Sequence, residues 1–171
     1  MTSGRPMKGE MALSGSGTQL ELFIRSSAPV GARERQTAMI ERLRALDDTD
    51  SIEATAVRTW EKRIPIGEDR FGESETHRAY AAFTEWARGR DIELRPFFDT
   101  RECHSAVTGG SHTALVLPVM CLAVHEGDRL RSVFPHTRGD LTHTVGDALA
   151  ALETNESDQL RRSALHVEVE A

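Results

Sequence analysis

The chain has 171 residues, 39% hydrophobic and 28% charged, with 27 acidic against 21 basic side chains and a formal charge of −6 with the histidines neutral. That length suits one domain with enough apolar content to fill a core. No apolar run approaches the roughly 18–20 residues that a membrane helix needs, which excludes a helical membrane protein. The acidic balance argues against a general polyanion binder and leaves room only for a local basic patch.

Lys8 and Lys62 are the only lysines, so 19 of the 21 basic residues are arginine. Arginine preference with a carboxylate surplus fits a high-salt cytoplasm, where surface Coulomb terms are screened over about 3 Å at 1 M salt. A GC-rich genome would give the same bias. Two cysteines, Cys103 and Cys121, are too few for a secreted disulfide scaffold and fit a reducing compartment, so a cytoplasmic location is expected. Residues 1–17 lack the continuous apolar core of a signal peptide and read as a disordered tail.

From Thr18 to Ser26, Leu20, Leu22 and Ile24 alternate with polar neighbours, the period of a half-buried strand. Ser26 to Gly31 breaks it. Met39, Ile40, Leu43 and Leu46 then recur at helical spacing, predicting an amphipathic helix over 32–47. The run Ile52 to Trp60 predicts a strand that ends before Pro65, and a polar loop follows through Gly72. Tyr80, Phe83, Trp86 and Ala87 lie on one stripe of a second helix over 73–89, with Gly89 as its stop.

Ile92 to Phe98 reads as a short edge strand, because Pro96 removes a donor, and 99–112 reads as loop. Ala114 to His125 is nearly continuous in apolar residues, which predicts one strand buried on both faces at the centre of the sheet. A three-residue turn around Gly127 leads into a hairpin partner at 129–134. Val145, Ala148, Leu149 and Leu152 give a last helix over 143–153, capped by Thr142 or Thr144. The domain is thus expected at 18–153, with a polar C-terminal tail over 154–171.

The order strand, helix, strand, helix, edge strand, buried strand, hairpin strand, helix resembles the thioredoxin fold. Ser27-Ala28-Pro29-Val30 lies where a redox thioredoxin carries Cys-x-Pro-Cys, and Leu117-Pro118-Val119 resembles the start of that family's cis-proline strand. The resemblance implies an α/β domain, βαβαβββα, with a mixed four- to five-stranded sheet and helices on both faces. The structural alternative is a ferredoxin-like α+β sheet built on a split βαβ unit. Neither redox position holds a thiol, so dithiol exchange is excluded.

The segments LELFIRSSAPVGARERQ, RTWEKR, ELRPFF, LVLPVMCLAV and FPHT together resemble a family of small, uncharacterised haloarchaeal proteins, some of them labelled helix-turn-helix. That label implies DNA binding, yet no two helices joined by a three- or four-residue turn are visible in the pattern.

Two groups of residues stand out as binding candidates. Arg25, Arg33 and Arg35, with Ser27 and Pro29, surround the start of the first helix, where free backbone N–H groups and the helix dipole favour an anion, although Glu34 among them also fits a merely solvated face. His136, Asp140 and His143 form an H-x3-D-x2-H stretch with the chemistry of divalent metal ligands, although a loop around Gly139 leading to a helix cap explains the same residues. Gly109-Gly110-Ser111-His112 lacks the fifth-position glycine of a nucleophile elbow, since that place is Thr113. Gly15-Ser16-Gly17 precedes a strand, where a dinucleotide loop would follow one. Cys103 beside His104 is a candidate activated thiol, and Cys121 a buried apolar residue. The expectation is a binding module without redox, metal or cofactor chemistry, acting on a protein partner or a small anion. A DNA-binding regulator is the alternative.

Overall fold

The computed structural model describes residues 17–66, 74–104, 106–107 and 109–155; the tails expected at the two ends, apart from Gly17 and from Thr154 and Asn155, which continue the last helix, and most of the loop before Ser74 lie outside these residues. Among the described residues the chain is a mixed α/β protein with a four-stranded mixed sheet and three helices. Strand β1 (Thr18–Arg25) buries Leu20 and Leu22 on one face and Phe23 on the other, so it needs cover on both sides. It pairs in parallel with β2 (Ile52–Trp60) and antiparallel with β6 (Met120–Glu126), which continues into β7 (Arg129–Phe134), giving the order β2-β1-β6-β7. Parallel neighbours need a long crossover. Helix α1 (Val30–Asp47) supplies it. Because β1 and β2 touch directly, the βαβ unit is not split, which removes the ferredoxin-like alternative.

Helix α2 (Glu75–Ala87) starts at Ser74, whose hydroxyl accepts the His77 backbone N–H, and is followed at the turn by Gly89 with φ +78°, a conformation that costs glycine little. Helix α3 covers 145–155 within the described residues. Thr144 is its cap: the Asp147 N–H donates to the Thr144 hydroxyl and the Asp147 carboxylate accepts the Thr144 N–H, each at 3.0 Å.

The helices divide between the two faces. α1 and α3 lay Leu43, Leu46, Val145, Ala148 and Leu149 over Leu20, Leu22, Ile52 and Leu122. Arg42 and Glu153 join these helices by two bonds of 2.9 Å. On the other face Phe83 and Trp86 of α2 pack with Phe23, Trp60, Phe98, Cys121 and Val133. The Phe23 and Trp60 rings stack at 4.8 Å, and Phe98 meets Trp60 and Phe83 edge-on at 5.9 and 6.0 Å.

Five expectations need correction. The apolar run 114–125 is two strands: β5 (Ser111–Val116) lies between β3 (Arg63–Ile66) and β4 (Asp99–His104) in a separate three-stranded sheet, while β6 joins the main sheet. The chain bends at 117–119 because three consecutive carbonyls are held by side chains from three elements. Arg25 donates to Leu117 O, Trp60 Nε1 to Pro118 O at 3.1 Å and Gln36 Nε2 to Val119 O at 3.0 Å. Hydropathy cannot register such polar anchors.

Ile92–Phe98 is not a strand; Glu93 makes only an isolated bridge to Thr137, and Ile92, Leu94 and Phe98 dip into the core as single side chains. The polar stretch 99–112, expected as loop, contains β4 and the start of β5, because a half-exposed strand can pair through its backbone without an apolar face. The 136–143 loop is a small ladder of β8 (His136–Arg138) and β9 (Leu141–His143). The turn at Gly127 is also one residue shorter than expected, since Glu126 already pairs with Arg129.

Candidate functional site

α1 begins directly after β1, at the carboxyl end of the parallel pair, where α/β sheets leave room for ligands. Its cap is Pro29, which offers no side-chain hydrogen bond, and its first turn holds no acidic residue. The first-turn N–H groups therefore have no capping side chain, and the positive dipole end has no acid within that turn. Ser27, Pro29, Arg33 and Arg35 are all exposed here, together with Val30 at 63%. Arg35 folds back along the first turn, its Nη1 4.0 Å from the point a Cβ on Gly31 would occupy. Placing cations at a helix amino end costs stability unless an anion joins them.

Arg25 sits differently from its two neighbours. It is half-buried, bonded to Leu117 O, and its Nε is buried with no hydrogen-bond partner; desolvation pulls the guanidinium below its ordinary value. The structure thus gathers Ser27, Pro29, Arg33 and Arg35 on one exposed end and gives Arg25 an anchoring contact beneath it.

The second group is only partly assembled. His136 and His143 face each other across β8 and β9 with ring centroids 5.0 Å apart, whereas Asp140 is exposed beside the Gly139 turn. His136 Nδ1 donates to Val133 O at 2.5 Å, and the ring lies against Trp86 and Phe134. Burial pulls this imidazole below its ordinary value; the Val133 bond opposes that, and His143 and Arg138 reinforce it. Among the described residues no three His, Cys, Asp or Glu side chains converge as a metal cluster.

Cys103 lies in β4, not in a loop, with Arg63 Nη1 at 3.7 Å from its sulfur. Cys121 is fully buried, and burial together with Glu21 pushes its thiol well above the ordinary range. Glu21 itself is pushed up by burial but brought net below its usual value by hydrogen bonds and charge from His125 and Arg58. The cis X-Pro bonds fall at Arg95–Pro96 and Phe134–Pro135, not at Leu117–Pro118.

Two features escaped the sequence pattern. A cavity of about 490 Å³ opens at the ends of β1 and β2, lined by Ser26, Thr59, Glu61, Ser74, Thr76 and His77. A second, of about 530 Å³, lies between α2 and the 92–98 segment, lined by Tyr80, Thr84, Arg88, Arg95 and Phe98 among others. The only prior signal for the first was serine three positions before histidine at a helix start, which a helix begun at Glu73 conceals.

Residues 13–157 match the helix-turn-helix domain family. The chain belongs to this family. Neither the curated proteins nor the solved structures compared with it contain a match. In this member, the two helices nearest in sequence, α1 and α2, are separated by β2 and β3, so among the described residues no pair is joined by the short turn of a helix-turn-helix motif. No helix among the described residues is long and apolar enough to cross a membrane.

Proposed function

We propose that the chain is a DNA-associated transcriptional regulator that contacts phosphate through the amino end of α1. The observation that carries this reading is membership of the helix-turn-helix domain family across most of the chain. The exposed first turn of α1, free of acids and flanked by Arg33 and Arg35, supports the mode of contact, since N–H groups and guanidinium forks both suit phosphate oxygens. An overall charge of −6 restricts binding to that local patch. The test is a mobility shift on duplex DNA titrated with salt. Binding that weakens steeply with salt is the expected result, and no binding at any salt ends the reading.

A second reading is favoured by one specific observation, the sheet order β2-β1-β6-β7 with α1 and α3 on one face and α2 on the other. That arrangement supports a thioredoxin-like core without redox thiols, working as a binding module for a protein or a small anion at the same end of α1. A cytoplasmic, high-salt haloarchaeal setting belongs to both proposals and is supported by the arginine bias and the carboxylate surplus.

A further inference from the structure

Ser74 caps α2 at the mouth of the 490 Å³ cavity, exposed, while His77 one turn on is buried beneath it. Two short contacts orient the His77 ring. His77 Nε2 lies 2.6 Å from Pro65 O, and a carbonyl can only accept, so Nε2 carries the proton and donates it there. In the neutral tautomer Nδ1 is left as an acceptor, and Ser74 Oγ at 2.6 Å donates to it. The same oxygen accepts the His77 backbone N–H at 3.1 Å, which holds the pair in register. A hydroxyl bonded to one imidazole nitrogen, with the other nitrogen oriented by a third group, is the arrangement that activates a nucleophile.

We propose that Ser74 and His77 form a nucleophile–base pair, and that the cavity above them takes small uncharged carboxylic esters. Ser74 Oγ attacks the ester carbonyl carbon as its proton passes to His77 Nδ1. The imidazolium so formed keeps its Nε2–H bond to Pro65 O. The tetrahedral oxyanion sits at the amino end of α2, where the first-turn N–H groups lack intrahelical partners. Collapse expels the alkoxide, which takes the proton from Nδ1 and leaves as alcohol. Water then adds to the acyl-serine with His77 again accepting the proton, and carboxylic acid and free serine are released. Ser26, Thr59 and Thr76 supply hydroxyls around the cavity, and Ile64 and Pro65 an apolar wall.

The test is covalent labelling of the full chain with an alkyl fluorophosphonate, read by intact mass and peptide mapping, alongside hydrolysis of p-nitrophenyl acetate. One adduct on Ser74 is expected, forming at least about 100-fold faster than any on Ser26, the unactivated serine of the same cavity. Ser74→Asn keeps a capping side chain and should abolish both label and hydrolysis. His77→Gln should slow labelling at least about 100-fold. No adduct on Ser74, equal labelling of Ser26 and Ser74, or an unchanged rate in folded His77→Gln would each overturn the proposal. Should His77→Gln fail to fold, the Ser74 to Ser26 ratio in the unaltered chain still decides it.

Discussion

Replacing Gln36 by methionine removes the polar end of one side chain and little else. Gln36 is 5% exposed on the buried face of α1, and its amide donates to Arg25 O at 3.2 Å and to Val119 O at 3.0 Å. Those two bonds tie α1 both to the end of β1 and to the bend that parts β5 from β6. Methionine has similar length and fits an apolar site, so cavity and overpacking effects stay small. Each lost bond is worth about 0.5–1.5 kcal/mol net, giving about 1–3 kcal/mol for the pair. The lower half of that range is expected, because Val119 O keeps the Arg25 N–H at 2.9 Å and is not left bare. Urea unfolding of Gln36→Met, compared with the exposed control Thr37→Met, measures the difference. A melting temperature lower by ~2–4 °C per kcal/mol should accompany it. Stability of Gln36→Met within about 0.3 kcal/mol of the control would refute the view that side-chain donors hold the bend.

Glu21 binds its proton less readily folded than unfolded, so its contribution is complete above its ordinary value of 4.5 and is lost as pH falls below it. Glu21→Gln should therefore flatten the acid limb of a stability–pH curve below about pH 4.5 and leave its shape near neutrality; an unchanged acid limb would contradict the Arg58–Glu21–His125 assignment. With a thiol reagent on the native protein, half-buried Cys103 should react and Cys121 only on unfolding, so two equally fast thiols would show that the sheet opens on the labelling timescale.

Where a single face decided the structure, the sequence was readable. The stripes of α1 and α2 and the Thr144 cap are local signals, and each appears where the pattern puts it. Alternation in 18–25 locates β1 but expects it half-buried, whereas Phe23 buries its second face against Trp60 and Phe83. What the pattern could not convey is set by distant partners. The run 114–125 is apolar throughout, yet it divides because Arg25, Trp60 and Gln36, 58 to 92 positions away in sequence, capture its central carbonyls. Asp99–His104 carries no apolar period and becomes a strand because the backbone of β5 is there to pair with. At the candidate site the arginines were legible as charge, but Arg25 is separated from Arg33 and Arg35 only by burial at the end of β1. Ser74 and His77 look like an ordinary helix start until Pro65 O, outside the helix's own pattern, is seen to hold the far side of the ring.

The most direct test of the functional account is the salt dependence of duplex DNA binding for the natural chain and for the double variant Arg33→Ala/Arg35→Ala. Each arginine that neutralises a phosphate contributes about 0.9 to the slope of log affinity against log salt. The double variant should bind more weakly, with a slope shallower by about 2. An identical slope in the two proteins, or no binding by the natural chain at low salt, would contradict it.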